Sequence, residues 1–352
     1  MAMEFYILNS SLQILGIIDT YKSAIWTRRY YTSGDFELYV PASDTNIDLL
    51  QKGNYVVRVD DTTKGAIIQK VGIQTDAENG DYLTASGKSL SSILSRRIMW
   101  KQTSYNGYLE KMLRQMIKDN FLASDISARN ISQLELGEEI GLPYTIRKQM
   151  TGDNIETALT EICQSYGIGY DVQFNMSDRK FTFILYEGQD RSYRQNVNPY
   201  VVFSPDFENI ISSQYDNDAS AFKNTAQIAG EGQGVDRVKT TVGNNYSGLN
   251  RYELFVDARN QSSNNGEVSR SDYLTLLQNI GYEKLAELGI TESVNSEVAE
   301  NETYKLNRDY FLGDVVEIVN EYGISMTPRV TEVIECQDDT GYTCIPKFTT
   351  ED

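Results

Sequence analysis

The sequence has no histidine in its 352 residues. This absence excludes Ser-His-Asp and Cys-His nucleophile pairs, the H-E-x-x-H zinc helix and the usual imidazole ligands of metal sites. Enzymes that use only carboxylates, lysine, tyrosine or serine remain possible. We predict that the protein is not an enzyme and has no catalytic residue, no cofactor and no metal site.

Long apolar runs are also missing. The longest are five-residue stretches such as ILGII (14–18), far short of the roughly 20 apolar residues of a membrane helix. The N-terminus lacks a basic region followed by an apolar run, so we expect no signal peptide and synthesis in the cytosol.

Cysteine is scarce as well, and three is an odd number that fits reduced thiols. Cys336 and Cys344 flank the turn DDTG (338–341), and they could face each other across a hairpin there. The spacing therefore leaves their pairing open, although cytosolic thiols stay reduced.

Positive charge is in the minority, with 32 Lys+Arg against 50 Asp+Glu and a net charge of −18. Tight nucleic-acid binding needs clustered Lys and Arg that displace counterions, so the charge opposes it. A passage through which DNA slides without sticking would suit the same charge. The apolar fraction of 40% indicates a folded globular chain, and its length predicts two or three domains.

The periodicity predicts a mainly β protein with an α/β insertion, which is α+β overall. The insertion contains an amphipathic helix beginning near Tyr105, a second helix from Asp153 with Glu156 in a capping box, a stop at Gly167, and a hairpin. The predicted regions are strands at 1–101, the insertion at 102–192, a β-rich region at 193–262, a helical segment at 263–300 and C-terminal strands at 301–352.

One internal similarity stands out. GNYVVRVD (53–60) resembles GDVVEIVN (313–320), and the return strands IQKV (68–71) and VTEV (330–333) are also alike. The pattern allows two unrelated hairpins of similar composition, or a β-barrel duplicated within one chain. In the second case, three chains would place six similar barrels in a ring.

Two sequence patterns that are associated with catalysis give no support for an enzyme. SGKS (86–89) follows a strand, but a phosphate-binding loop needs glycine where Tyr82 stands, so we expect a strand-to-helix turn. Adjacent carboxylates such as Asp60–Asp61, Glu138–Glu139 and Asp338–Asp339 arise easily among fifty acidic residues and are expected in turns.

Several short motifs, in order along nearly the whole chain, resemble the tail hub or tail-associated proteins of long-tailed phages and prophages. The motifs are IWTRRY (25–30), GDFELYVP (34–41), GKSL (87–90), RR (96–97), KNTA (223–226) with GEG (230–232), RYELFVDAR (251–259) and DYFLGD (309–314).

This resemblance implies a fold related to the baseplate hub of contractile-tailed phages, with two tube-like β-barrels per chain plus smaller domains. It also implies a homotrimer at the virion tail tip. The implied partners are further copies of the chain, the distal tail protein and tail tube, the tape-measure protein, receptor-binding or fibre proteins, and phage DNA in transit without sequence-specific binding. Family members often continue into a hydrolase region, whereas this sequence ends at Asp352, which makes lytic activity doubtful.

The leading hypothesis is a structural tail hub that joins the tube to the adsorption apparatus and provides a DNA passage lined by acidic side chains. Trp26 and Phe36 are expected to anchor the first barrel's core and Pro41 to end its strand. The other structural motif positions are Gly34, Gly53 and Gly313. The alternatives are a tail-associated cell-wall hydrolase that uses a carboxylate pair, and a carbohydrate binder that uses surface tyrosines.

Overall fold

The structure is a computed structural model that describes residues 3–77, 80–298 and 303–350. Strands account for 38% and helices for 21% of the chain, which confirms the prediction of a mainly β protein. The domain boundary predicted at 300/301 lies outside the described residues.

The described residues form twenty-two strands and four α-helices, together with short 3-10 helices and one π-helical turn, Lys118–Leu122. The strands are β1 (Phe5–Leu8), β2 (Ile14–Ile18), β3 (Ser23–Arg29), β4 (Asp35–Pro41), β5 (Tyr55–Arg58), β6 (Gly65–Gln74), β7 (Tyr82–Ser89), β8 (Thr103–Tyr108), β9 (Leu134–Leu136), β10 (Thr145–Met150), β11 (Gly169–Asn175), β12 (Lys180–Tyr186), β13 (Val202–Phe203), β14 (Ile210–Asp218), β15 (Thr225–Ala229), β16 (Lys239–Val242), β17 (Glu253–Asp257), β18 (Thr291–Val298), β19 (Glu317–Val319), β20 (Ser325–Met326), β21 (Arg329–Asp338) and β22 (Gly341–Thr349). The helices are α1 (Asp44–Leu49), α2 (Leu109–Ile117), α3 (Ile155–Tyr166) and α4 (Arg270–Glu287).

One eleven-stranded sheet connects the two ends of the chain. Its order is β14-β18-β22-β21-β3-β4-β7-β6-β5-β1-β2. The first four strands come from the C-terminal part and the other seven from the first ninety residues. The two sets meet where β21 pairs antiparallel with β3, from Glu332 opposite Arg29 to Asp338 opposite Ser23.

The internal similarity corresponds to a repeated hairpin geometry. Gly53 and Gly313 have φ of 89° and 98°, a backbone that favours glycine. The Gly53 N–H donates to the Ile68 carbonyl at 2.9 Å, and the Gly313 N–H donates to the Val330 carbonyl at 2.8 Å. In both copies a β-bulge follows immediately, after Ile68 in β6 and after Val330 in β21. The two segments therefore share hydrogen-bond pattern and register as well as composition.

A proline accounts for the main difference between the two copies. Ala66 pairs with Val56 inside the β5–β6 ladder, whereas Pro328 stands at the matching place in the second copy. Val316 still donates its N–H to the Pro328 carbonyl at 3.0 Å, but proline has no N–H to return. The second ladder is therefore interrupted, and β20 and β21 are separate strands.

Each half of the large sheet surrounds its own apolar core. In the first core Trp26, Val56 and Ile68 are buried, and in the second Val316, Val330 and Phe348 are buried. No closed barrel is found among the described strands, because the sheet has β14 and β2 as its two edges.

The inserted unit has the predicted helices and hairpin, with two shifted boundaries. The first helix begins at Leu109 rather than near Tyr105, because 103–108 forms β8 and pairs with β10. The second helix is capped by Asn154, whose side chain accepts from the N–H groups of Glu156 and Thr157, so Asp153 is not the cap. Gly167 ends this helix at φ 66°, as predicted.

A second small unit lies in the later part of the chain. β16, β15 and β17 form their own three-stranded sheet, and α4 packs on it through Tyr273 and Leu277. The segment 263–300, which the periodicity predicted as helical, contains α4 but also β18, and β18 joins the large sheet. The reason is that β18 pairs with β14 and β22, which are distant in sequence.

Register also corrects the expectation that Cys336 and Cys344 face each other. Cys336 lies opposite Thr343 and Cys344 lies opposite Glu335, so the two thiols are on opposite faces of the β21–β22 hairpin. All three cysteines are free. The SGKS motif lies at the end of β7, and a short 3-10 helix follows from Leu90 to Arg96, so the chain passes from strand to helix there as predicted.

Candidate functional site

Four of the predicted motif residues lie on or beside β3 and β4. Trp26 is directly opposite Phe36, their ring centroids are 5.9 Å apart, and each residue is 2% exposed. A Cβ at Gly34 would lie 1.9 Å from the Thr27 carbonyl oxygen, so only glycine fits there. β4 ends at Pro41. Trp26, Gly34 and Phe36 therefore shape the first core.

The other two motif residues, Gly53 and Gly313, differ in what surrounds them. A Cβ at Gly53 would meet nothing within 4 Å, whereas a Cβ at Gly313 would lie 2.2 Å from the Tyr30 ring. Gly169 contacts the same ring, since a Cβ there would lie 2.3 Å from it. The Tyr30 ring is thus held between a glycine of the inserted unit and a glycine of the C-terminal half.

Tyr30 is fully buried, and polar groups hold both its hydroxyl and its ring. The hydroxyl donates to the Gly167 carbonyl at 3.0 Å and accepts from the Gly188 N–H at 3.1 Å. The Arg329 guanidinium lies 5.3 Å from the ring centroid. We call Tyr30 with Gly169, Gly188, Gly313 and Arg329 the Tyr30 junction, because it joins the first half, the inserted unit and the C-terminal half.

A buried ion pair lies beside this junction. Asp314 directly follows Gly313 and is 2% exposed, and its Oδ2 accepts from Arg191 Nε at 2.6 Å. Its Oδ1 accepts from the Gln189 N–H at 2.7 Å. Removing one member of such a pair leaves a buried charge uncompensated, which costs far more than breaking an exposed pair.

A second buried charge cluster crosses the line where β21 meets β3. Glu335 on β21 accepts from Arg58 at 3.2 Å and from the Tyr342 hydroxyl at 3.1 Å. Arg28 Nε lies 3.3 Å from Glu335 Oε2, within ion-pair distance but without hydrogen-bond geometry. Burial alone would raise the pKa of Glu335, but Arg28, Arg58 and Lys64 hold it below its usual value. We call this group the Glu335 cluster.

Beside the Glu335 cluster is a cavity of about 650 Å³ between β3, the loop after β5, and the β11–β12 hairpin. Side chains of both charges line it, including Arg28, Lys64, Asp61 and Asp171. Burial raises the pKa of Asp171, whose Oδ1 accepts from the Ser91 hydroxyl at 2.8 Å. The cavity separates the first half from the inserted unit and is polar enough to hold water.

Neither a membrane span nor a metal cluster is found in the ranges described. Their helices are too short or too polar to cross a bilayer. The same residues contain no group of three or more Cys, Asp and Glu side chains that could hold a metal ion.

The family model of the Siphovirus ReqiPepy6 Gp37-like protein matches residues 4–348. The chain belongs to this family. The predicted resemblance to tail proteins of long-tailed phages is confirmed. No curated protein matches this Gp37-like chain.

Three solved structures share the fold of the Gp37-like chain. A tail protein from Neisseria meningitidis MC58 has a TM-score of 0.63 at 15% identity, covering 99% of this chain and 97% of that one. The 43 kDa tail protein of prophage MuSo2 from Shewanella oneidensis has a TM-score of 0.60 at 11% identity, covering 98% of each chain. Prophage tail protein gp18 from Listeria monocytogenes EGD-e has a TM-score of 0.55 at 11% identity, covering 99% of this chain and 94% of that one.

Sequence reasoning did not identify the Tyr30 junction or the Glu335 cluster. Tyr30 closes the motif IWTRRY and Gly313 begins the repeated segment, but nothing local indicates that the two residues meet. Arg58 and Glu335 are 277 positions apart, and only the pairing of β21 with β3 brings them together. The motif residues, the Tyr30 junction and the Glu335 cluster together fix the arrangement of the halves.

Proposed function

We propose that this chain is a structural tail hub at the distal end of a phage tail tube. In this role it would form a homotrimeric ring that joins the tube to the adsorption apparatus and provides a DNA passage. The family and the shared fold support a structural tail protein, and the ring and its place in the tail are our proposal.

The repeated hairpin is the observation that carries the proposal. The glycine turn, its hydrogen bonds and the following bulge recur in both halves. Two similar halves in each of three chains provide six similar units, so a threefold ring could dock beneath a sixfold tube. Strongly twisted sheets of more than about ten strands tend to curl or split, which favours a tube-like barrel in each half around its own core.

The two edges of the large sheet provide a way to close such a ring. A cyclic homotrimer needs two different complementary surfaces on each chain. β2 forms one edge and β14 the other, so β2 of one copy can extend the sheet of the next. On β2, Ile14, Leu15 and Ile17 are 51%, 47% and 49% exposed, which places an apolar surface at an open edge of the sheet.

The proposed partners follow from this place in the tail. They are the distal tail protein and tail tube, the tape-measure protein, receptor-binding or fibre proteins, and DNA in transit. Acidic side chains facing the channel would repel DNA phosphates at short range, and the net charge of −18 supplies an excess of them. A basic channel in a reconstruction of the ring would contradict this part.

The alternative of a cell-wall hydrolase gains no support from the adjacent pair Asp60–Asp61. Such chemistry needs one carboxylic acid with a raised pKa. Burial would raise the pKa of both, but Arg58 hydrogen bonds hold the pKa of Asp60 below its usual value, and Thr63 does so for Asp61.

Electron microscopy of tails that carry an epitope-tagged chain tests the hub proposal. We expect gold-labelled antibody at the distal end of each tail and threefold density there with six similar lobes around a channel. Label along the tube, or density of another symmetry, would contradict it.

A further inference from the structure

The inserted unit has a small surface cavity that the hub role does not use. Its volume is about 260 Å³, and its lining includes Trp100, Asp119, Asn120, Asp125 and Arg129. Pockets for drug-sized molecules hold roughly 300–1,000 Å³, so this one suits a ligand of about one ring.

Trp100 gives the cavity an aromatic wall. It is 62% exposed, whereas Trp26, the only other tryptophan, is 2% exposed. The Arg129 guanidinium lies 5.3 Å from the centroid of the Trp100 ring. This cation–π contact orients the indole while most of its surface stays open to solvent. A large, oriented, exposed aromatic surface is a platform on which a flat apolar face can stack.

Arg129 adds an unpaired donor behind this wall. The residue is 8% exposed, and its Nη2 donates to the Ile98 carbonyl and to Asn120 Oδ1, each at 2.8 Å. Its Nε is buried without a hydrogen-bond partner, and within the described residues the guanidinium forms no ion pair. Buried polar groups are nearly always satisfied, so this donor marks Arg129 as an incompletely satisfied residue in the wall of the cavity.

The backbone is distorted at the same place. α2 does not simply end at Ile117 but continues into a π-helical turn, Lys118–Leu122, which carries Asp119 and Asn120 into the cavity wall. Asn120 Nδ2 donates to the Met116 carbonyl at 2.9 Å, which fixes the amide and turns its oxygen toward Arg129. Such π-turns are rare and occur frequently at functional sites.

From these observations we propose that the cavity binds one neutral hexopyranose unit of a surface polysaccharide, stacked on Trp100. The apolar C–H face of the sugar would lie on the indole. Its hydroxyl groups, which both donate and accept, would meet donors on Arg129 and Lys101 and acceptors on Asp119 and Asp125.

The charges of the lining favour a neutral sugar over an anionic ligand. Lys101 and Asp125 already form an exposed ion pair, and Arg129 is balanced in number by Asp119. A phosphate or nucleotide would need a surplus of positive charge that the lining does not provide. A protein partner would need a broad apolar surface rather than a small polar hollow.

Tryptophan fluorescence and a glycan array test the proposal on the full chain. The array should carry neutral hexoses, N-acetylhexosamines, deoxyhexoses and, for comparison, glucuronate-bearing and phosphate-bearing glycans. We expect binding to at least one neutral glycan. Titration with the corresponding free oligosaccharide should shift Trp100 emission, while Trp26 contributes a constant background.

Trp100→Ala should weaken binding at least tenfold, and Trp100→Phe should retain part of it. Tyr108→Ala is the matched control, since Tyr108 is an exposed aromatic residue of the same unit, at 56%, outside the cavity. Because Trp100 is exposed, its replacement should leave the thermal unfolding midpoint unchanged, which separates lost binding from misfolding.

Three outcomes would overturn the proposal. They are no glycan binding by the wild-type chain, equal binding by Trp100→Ala, or binding confined to acidic glycans. Loss of association between tail proteins in Trp100→Ala, with glycan binding intact, would identify Trp100 as a protein contact instead. None of these outcomes bears on the ring, so the hub proposal is tested separately.

Discussion

At the residue scale, Gly53 and Gly313 share a backbone conformation but not a neighbourhood, which allows the Tyr30 junction to be tested. Alanine at either position must adopt an unfavourable positive φ. Only at position 313 does the added Cβ also meet the Tyr30 ring. We predict that Gly313→Ala lowers the free energy of unfolding by about 1–3 kcal/mol more than Gly53→Ala, the usual cost of overpacking. Urea unfolding of the two variants measures the difference. An equal decrease in the free energy of unfolding in both variants would contradict close packing of Gly313 against Tyr30.

The Glu335 cluster predicts a pH dependence of stability. Since the folded-state pKa of Glu335 is lowered, its stabilising effect is fully present above the unfolded value of about 4.3 and is lost as the pH falls through the folded pKa. Glu335→Gln should lower the free energy of unfolding by about 3 kcal/mol at pH 7, because it leaves Arg58 and Arg28 without their buried counter-ion.

Urea unfolding between pH 7 and pH 3 tests this expectation. The difference in free energy of unfolding between wild type and Glu335→Gln should be constant above about pH 5 and should become smaller below about pH 4. Glu253→Gln is the control, since Glu253 pairs with Arg251 at an exposed position and should cost no more than about 1 kcal/mol. A difference that does not change with pH would show that the charge of Glu335 is unimportant.

At the scale of the element, the repeated hairpin was predictable because its signals are local. A glycine, a short polar residue and alternating valines predict a turn followed by a strand, and both copies have that form. Cys344 lies opposite Glu335 rather than Cys336, an offset of one residue that was not predictable. Two residues on either side of a turn need not lie opposite each other in the hairpin. Hydrogen-bond register decides which residues do, and it depends on the turn and on both neighbouring strands.

The observed register predicts that these thiols do not pair. Exposure of the folded chain to oxidised glutathione, followed by unfolding and iodoacetamide treatment without any reductant, should leave each cysteine with either a glutathione or a carbamidomethyl group. Intact mass then shows three added groups, one for each cysteine of the sequence. One added group would reveal an internal disulfide and contradict the register.

At the scale of the whole molecule, sequence reasoning missed the contacts that assemble the halves. The pairing of β21 with β3 joins segments about 300 positions apart, and periodicity within a strand carries no information about such a partner. The exposure of Trp100 was likewise not predictable, because nothing in its local sequence distinguishes an exposed aromatic residue from a buried one. Composition and local pattern therefore predicted the class of the fold and its repeat, while the junctions and the small cavity depend on tertiary pairing.

The ring proposal makes its own prediction at this scale. Leu15 and Ile17 lie on the edge strand β2, and both side chains are about half exposed. Lysine on an edge strand opposes pairing with another chain, so the double variant Leu15→Lys, Ile17→Lys should remain monomeric where the wild-type chain forms trimers. Mass photometry over a concentration series measures this directly. Ile73→Lys is the matched control, because Ile73 is 53% exposed but lies on β6, three strands from β2 in the order of the sheet. Trimers that survive in the double variant, or are lost equally in Ile73→Lys, would mean that the β2 edge does not close the ring.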